Sequence, residues 1–350
     1  MDGGSCRARS PVDPSLPGDR PPRGPPLAPA RHPQAEHFAV VEAPVRPPEA
    51  GELLVRAEFL SVDPAMRGWV SDVANYSEPV PVGDVMRSFA VGTVVASAAP
   101  AYRPGDRVTG LFGWQEYATV DAGAVLRRVD EDDLSPSLSL GVLGLTGATA
   151  WFGLSEIARP AAGETVVVST AAGAVGSVVG QLAAQAGCRT VGIAGGPEKV
   201  RLCLEEFGYD AAVDHRSPPL AADLAAAVPD GVDVYFDNTA GPISDTVLPR
   251  INRRARIVVC GTAAISSWDP WPTGPRVERH LLTKAARMEG LLFFDHQHRL
   301  PEAVAALAEL VRGGRLRYRE DVLDGLEAAP DAIAGLYRGE NLGKRVIRLA

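Results

Sequence analysis

Cysteine is scarce. The four in this chain of 350 residues, Cys6, Cys188, Cys203 and Cys260, are widely spaced and form no CxxC pair. That spacing excludes a disulfide framework and a structural zinc site, and it fits a reducing, cytoplasmic setting. Positive charge is not gathered anywhere. The net charge is -8, and the longest basic segment is Arg253-Arg254-Ala255-Arg256, expected as a turn ahead of a strand. A nucleic-acid partner is therefore not expected, since gripping a phosphate backbone takes a positive stripe. Long apolar runs are missing too; the longest are strand-length, so no membrane span is expected. Lysine is rare beside arginine, which makes Lys199 conspicuous. What remains is ordinary for a globular protein, with 46% hydrophobic and 22% charged residues. A chain this long exceeds what one core usually serves, so two domains are expected.

The N-terminal stretch differs from the rest. Pro11, Pro14, Pro17, Pro21, Pro22, Pro25, Pro26, Pro29 and Pro33 punctuate it. It lacks the apolar segment of a signal peptide, and its prolines forbid the amphipathic helix of a transit peptide. Residues 1–36 are expected as a mostly disordered tail. Residues 37–144 read as short strands and turns, among them Leu53–Ala57, Val91–Val95 and the Pro104-Gly105 turn feeding Val108. Residues 145–315 alternate strand and helix, which implies a parallel sheet with helices on both faces. Strands are expected at Thr165–Ser169, Thr190–Ala194, Val232–Phe236, Ile257–Cys260 and Leu291–Phe294, and a helix from Pro301 to Val311. Residues 316–350 are expected to complete the first domain. The fold class is α/β: a mostly β domain joined to a doubly wound parallel sheet.

The most informative stretch is the strand Thr165–Ser169 followed by Thr170-Ala171-Ala172-Gly173-Ala174-Val175-Gly176-Ser177. It departs from G-x-G-x-x-G by having Ala171 first, but the physical requirements are kept. Gly173 lets backbone approach a pyrophosphate, Gly176 lets helix and strand pack closely, and the helix start offers free N–H groups to the anion. A turn of this kind inside a βαβ unit marks a dinucleotide site. The next strand ends Ala194-Gly195-Gly196-Pro197-Glu198-Lys199. An NAD-selective site carries an acid at this tip for the ribose 2′-hydroxyl. Here the tip is glycine, and Lys199 follows it. One charge-assisted hydrogen bond from Lys199 to a 2′-phosphate contributes about 1.5–3 kcal/mol, roughly a tenfold to hundredfold preference for NADPH.

These motifs, together with Leu60-Ser61-Val62-Asp63-Pro64-Ala65-Met66-Arg67-Gly68, Leu145–Ala150, Tyr235-Phe236-Asp237-Asn238 and Gly339–Lys344, resemble the prostaglandin reductase / 2-alkenal reductase family. That family is a zinc-independent branch of the medium-chain dehydrogenase/reductases. The resemblance runs from about Phe38 to the end of the chain. It implies a GroES-like domain plus a Rossmann domain with the active site in the cleft, and a homodimer. It implies NADPH bound by Ala172, Gly173, Ala174, Val175, Gly176, Gly196 and Lys199. His215 stands at a usual tyrosine position beside the 2′-phosphate, where its contribution depends on pH. Asn238, the Cys260-Gly261 loop and Asn341 match ribose and nicotinamide contacts. Zinc-dependent relatives have a Cys near Ser61 and a Gly-His-Glu where this chain has Phe89-Ala90-Val91, so no catalytic metal is expected. His296 and His298 are expected to cap an exposed loop.

The chemistry the resemblance implies is hydride addition to the β-carbon of an enone or enal, with charge collecting on the carbonyl oxygen. Such a site must hold the reacting carbons within about 3–3.5 Å and donate a hydrogen bond to that oxygen. Two of the family's tyrosines are missing: Ala65 replaces one and Trp268 the other. Tyr76 matches a third and is the expected carbonyl donor. Met66, Trp114 and Trp268 are expected to line the substrate pocket. A quinone reductase and a non-catalytic NADPH-binding protein are the alternatives.

Overall fold

The fold is given by a computed structural model that describes residues 5–11, 33–71, 77–265, 268 and 270–349. In chain order the strands and helices are β1 (Ser5–Pro11), β2 (Phe38–Pro44), β3 (Glu52–Ser61), α1 (Met66–Trp69), β4 (Phe89–Ser97), β5 (Arg107–Leu111), β6 (Tyr117–Asp121) and β7 (Val125–Arg128). Then come α2 (Leu145–Phe152), β8 (Thr165–Ser169), α3 (Gly176–Gln185), β9 (Arg189–Ala194), α4 (Pro197–Glu205), β10 (Ala211–Asp214), α5 (Leu220–Ala227), β11 (Val232–Asp237) and α6 (Gly241–Val247). The rest are β12 (Ile251–Val259), α7 (Glu278–Lys284), β13 (Arg287–Gly290), α8 (Phe293–His296), α9 (Leu300–Arg312), β14 (Glu320–Asp324), α10 (Ala329–Arg338) and β15 (Lys344–Arg348).

Two compact units result, one from residues 1–140 with 320–350 and one from 141–319. Residues 141–144 and 316–319, expected in the first domain, belong to the second unit. Hydrogen bonds explain this. Gly141 O accepts from Thr146 Oγ on α2, and the Gln181 side chain on α3 bonds both the N–H and the carbonyl of Arg317.

The first unit is built on a mostly antiparallel sheet in the order β14-β15-β3-β4-β5-β7, with β6 also paired to β3. Leu53, Val55 and Leu60 of β3 and Val91 and Val94 of β4 are fully buried. Within the stretch expected to be a tail, β1 pairs antiparallel with β2, from Ser5 opposite Pro44 to Pro11 opposite Phe38. An edge pairing needs only backbone, and the single proline lies at the strand's end, where it costs least.

The second unit is a six-stranded, wholly parallel sheet in the order β10-β9-β8-β11-β12-β13. This is the strand order of a dinucleotide-binding fold, reversing direction between β8 and β11. Its core joins Val167, Val191, Ile193, Tyr235 and Ile257 across four strands. Two expectations fail here. Leu291–Phe294 is not a strand; the edge strand is Arg287–Gly290, paired with Arg256–Val259, and Phe293 opens α8. An edge strand tolerates the outward charges of Arg287 and Glu289, and a four-residue apolar run fits strand or helix equally. Arg253–Arg256 is not a turn before a strand but lies within β12, where the register with β11 is irregular between Val232 and Val234. Among the described residues no helix is long and apolar enough to cross a membrane.

Candidate functional site

β8 is buried at every residue. Beyond it Thr170 adopts φ +54°, a left-handed conformation costing a β-branched residue on the order of 1–3 kcal/mol. Contacts hold it there. Gly173 N–H donates to Thr170 O (2.9 Å), and Ala171 N–H donates to Ile193 O on β9 (3.0 Å). Space accounts for both glycines. A Cβ at Gly176 would lie 2.3 Å from Thr170 O and 2.9 Å from Ala171 Cα, and one at Gly173 would lie 2.8 Å from Thr170 Cγ2. Strand end and helix start thus meet backbone to backbone. Ala172 is buried, while Ala174 and Val175 are half-buried. No side chain caps α3; the Ser177 and Val178 N–H groups turn back to Gly173 O and Val175 O, and the positive end of the helix dipole faces the turn, as an anion requires. Buried Tyr209 donates to Gly176 O (2.7 Å) and pins the helix start. A cradle that any side chain would fill, at an uncapped helix start, fits a pyrophosphate.

The second turn, between β9 and α4, is made differently. Gly196 caps α4 at φ +93°, with Pro197 in the first turn. The end of β10 lies beside it. A Cβ at Gly195 would be 2.7 Å from His215 Nε2 and 3.2 Å from Arg216 Nε. Asp214 Oδ1 accepts from the N–H groups of Gly196 (2.8 Å) and Arg216 (2.9 Å). Desolvation pulls the Asp214 carboxyl upward, yet those donors and the neighbouring basic groups hold it below its usual value. The His215 imidazole is pushed below its ordinary value, first by desolvation, then by the Arg216 charge, with Lys199 adding to it and Asp214 opposing. Lys199 sits half-buried in the first turn of α4. Glycines, one lysine and basic groups from β10 fit an additional phosphate.

At the end of β11, Asp237 is 3% exposed and ringed by neutral donors. It accepts from Tyr235 OH (3.0 Å), Thr239 N (2.9 Å), Ala240 N (2.8 Å), Ser169 Oγ (3.3 Å) and Ser244 Oγ (2.5 Å). Burial, then the Asp237 charge, pushes the Tyr235 phenol upward. The same two causes push the Cys260 thiol up to about 12. Asn238 is fixed beside this knot: its N–H donates to Ser169 Oγ (2.8 Å) and its Nδ2 to Ser169 O (2.7 Å). Its Oδ1 is left as the amide's acceptor. Cys260 and Gly261 both donate their N–H to Asp237 O (2.8 and 3.1 Å).

In the first unit, the segment Leu60–Gly68 is tied down by a buried cation. Lys344, 5% exposed, donates through Nζ to Ser61 Oγ (2.6 Å), Val62 O (3.0 Å) and Asp63 Oδ1 (2.6 Å). Ser61 Oγ in turn donates to Asp63 Oδ2. Among the described residues no group of three or more His, Cys, Asp or Glu is placed to hold a metal ion.

Sequence families described as "N-terminal domain of oxidoreductase" and "Zinc-binding dehydrogenase" match residues 27–128 and 174–309. The chain is 42% identical to NADPH-dependent curcumin reductase of Escherichia coli, over 91% of this chain and 93% of that protein. It is 38% identical to 2-alkenal reductase (NADP(+)-dependent) of Nicotiana tabacum, over 87% and 89%. This chain is a zinc-independent medium-chain dehydrogenase/reductase of the alkenal reductase type. Rat prostaglandin reductase 1, at 39% identity over 90% of this chain and 95% of its own length, belongs to the same group. The crystal structure of CurA in complex with NADPH from Vibrio vulnificus superposes with a TM-score of 0.87 at 37% identity, covering 98% of this chain and 99% of that one.

Not every residue that this family resemblance nominates stands at a ligand-accessible position. Met66 and Trp114, expected to line the substrate pocket, have no exposed surface. Met66 Sδ accepts from Asp63 N, and Trp114 Nε1 donates to Ser61 O with its ring against Phe38. They support the Leu60–Gly68 segment from within and are packing residues. Trp268 is 43% exposed and meets Trp271 edge to face at 5.3 Å. Tyr76 lies outside the described residues. Asn341, in the first unit, donates its Nδ2 to Gly343 O. His296 does not cap a loop; it stacks on Phe152 at 4.9 Å. Sequence reasoning missed Asp214 and Arg216, and it gave no role to Asp237 and Lys344 although both stand in the motifs that carry the resemblance. Arg216 carried a signal as a second basic residue after His215.

Proposed function

We propose that this chain reduces the activated C=C bond of α,β-unsaturated aldehydes and ketones with NADPH, without a metal. The observation that carries the reading is the glycine tip of β9 with Lys199 beside it, in a chain 42% identical to an NADPH-dependent reductase. Bound NADPH supplies the hydride. The chain's own residues bind and orient. Ala172 to Gly176 admit the pyrophosphate to the start of α3. Gly196, Lys199 and His215 receive the 2′-phosphate. Asn238, its Nδ2 engaged, accepts from a ribose hydroxyl through Oδ1. The Cys260-Gly261 loop and Asn341 meet the nicotinamide end. Tyr76 donates to the substrate carbonyl oxygen, where a single preorganised donor is worth several kcal/mol as charge develops. Trp268 offers the substrate an apolar face.

The test is NADPH oxidation with a panel of 2-alkenals, enones and quinones, with NADH in parallel, for the native chain and Lys199→Ala. Enone turnover is expected, with NADPH preferred roughly tenfold to hundredfold and the preference lost in Lys199→Ala. Quinone turnover alone would replace the reading with a quinone reductase. Tight NADPH binding with no turnover of any compound would leave a non-catalytic binding protein.

The working form is a cytoplasmic homodimer. The supporting observation is the free side of β13, an exposed edge strand flanked by Leu282 (83% exposed), Leu292 and Phe294. Large exposed apolar side chains gathered beside a strand edge mark an association surface. Light scattering is expected to give the mass of two chains, and Leu282→Glu combined with Phe294→Glu the mass of one. A native chain that runs as a monomer at micromolar concentration overturns the dimer.

A further inference from the structure

What a Cβ at Gly195 would meet is side chain, not backbone. Two basic side chains from just beyond β10 lie across the backbone of the β9 tip, with His215 Nε2 and Arg216 Nε within 3.2 Å of where a Cβ would stand. Consecutive residues within a strand point to opposite faces, but β10 ends at Asp214, so His215 and Arg216 are free to turn to one side. The turn itself is stapled. Asp214 Oδ1 bonds the backbone N–H of Gly196, at the cap of α4, and that of Arg216. His215 N–H donates to Ala194 O (2.9 Å). The loop that carries Arg216 is thus fixed to the strand tip at both of its first two residues.

Charge then separates the three basic groups. His215 is held toward its neutral form by desolvation and by its cationic neighbours. Asp214 is held ionised. With His215 neutral, Lys199 and Arg216 are the cationic side chains of this tip, set among the carboxylates of Asp214 and Glu198. The Arg216 guanidinium lies against the tip itself, with Nε 3.2 Å from a Cβ at Gly195 and one terminal nitrogen 3.9 Å from a Cβ at Gly196. It is also the one group here with a planar fork of donors matched to phosphate oxygens.

We propose that Arg216 is a specificity-determining residue of the cofactor site, binding together with Lys199 the phosphate that distinguishes NADPH from NADH. This rests on the NADPH reading above and adds to it a residue, a division of labour and a role for Asp214. Lys199 provides a point charge from α4, Arg216 a bidentate contact from the β10 side, and Asp214 the staple that sets the guanidinium over the tip.

The full-length protein is titrated by calorimetry with NADP⁺, NAD⁺ and adenosine 2′,5′-bisphosphate, as the native chain and as Arg216→Ala, Arg216→Lys and Lys199→Ala. Arg216→Ala is expected to weaken NADP⁺ and adenosine 2′,5′-bisphosphate roughly tenfold to hundredfold and to leave NAD⁺ within about twofold, the scatter of a contact not made. Arg216→Lys recovers part of the loss, because charge returns without the fork. Unchanged NAD⁺ binding doubles as proof that the variant folds. If Arg216→Ala weakens NADP⁺ and NAD⁺ equally, or neither, while Lys199→Ala still discriminates between them, Arg216 does not read the phosphate and the proposal falls with the NADPH reading intact. If the native chain itself shows no preference between NADP⁺ and NAD⁺, the NADPH reading falls with it.

Discussion

The two turns at the top of the second unit solve neighbouring problems by opposite means. The β8–α3 turn is made of absences. Gly173 and Gly176 have no room for a Cβ, the helix start has no capping side chain, and what binds is backbone. The β9–α4 turn is made of presences. His215 and Arg216 lie against a glycine tip, Lys199 stands in the helix turn that follows it, and an acid, Asp214, holds the parts together. The first turn is sterically determined and, in the proposed reading, indifferent to the kind of dinucleotide. The second is electrostatic and, in that reading, carries the choice between two dinucleotides. Separating affinity from selectivity in this way lets either be altered without rebuilding the other.

The comparison can be broken most forcefully at Gly176. Its added Cβ would meet backbone on two sides, at 2.3 and 2.9 Å, and backbone cannot rotate away. Overpacking of this kind costs about 1–3 kcal/mol or more. Gly176→Ala is expected to weaken NADP⁺ and NAD⁺ alike by about a hundredfold, the upper part of that range, and to lower the melting temperature. Gly173→Ala should do the same about an order of magnitude more mildly. There the nearest atom is the Thr170 methyl, the end of a side chain that can turn. Calorimetry with both nucleotides reads both variants. A selective loss of NADP⁺ in either one would erase the distinction between the turns.

The smallest effect is at His215 and concerns pH. Its folded-state value lies below the ordinary 6.5, so the neutral imidazole is the form the fold favours. Its contribution to stability is full above about pH 6.5 and is lost as the pH falls below that, because the unfolded chain takes up the proton first. His215→Gln removes this loss. Since the side chain is exposed, the difference in melting temperature between pH 7.5 and 5.5 should shrink by no more than about 2 °C. A change of opposite sign would mean that His215 is charged in the folded chain at neutral pH.

How legible each turn is in the sequence follows from the same contrast. Small residues after an apolar strand announce a steric requirement directly, and Thr165–Ser169 with Gly173 and Gly176 forms the strand and turn that its pattern predicts. A strand buried on both faces has to be continuous and apolar, so β8 has little room to be anything else. The cation cluster is assembled from two segments about sixteen residues apart, and nothing local says that they meet. Lys199 is visible because it follows the glycines; Arg216 is visible only once β10 lies beside β9. Met66 and Trp114 mislead for a related reason. A large apolar side chain near a motif serves equally well as ligand surface or as support, and its burial decides between them. Leu291–Phe294 fails because the edge of a sheet is chosen by what it leaves exposed, which a four-residue apolar run does not encode. Asp237 shows the limit from the other side: its motif marks the position, but nothing in the sequence says that its carboxylate is satisfied by neighbouring hydroxyl and N–H groups.

The contact between Lys344 and the Ser61–Asp63 segment has a bearing on how the chain comes off the ribosome. β3 is made well before β15, yet β15 fills the edge of β3 beside Phe59 to Ser61, and its first residue supplies the ammonium that Asp63 and Ser61 require. The second unit, continuous from 141 to 319, is complete in sequence before that residue exists. The portion begun first is therefore closed only after the second unit has been made. Until β15 emerges it holds an open strand edge and an acid awaiting its counter-ion, and β15 closes both at once.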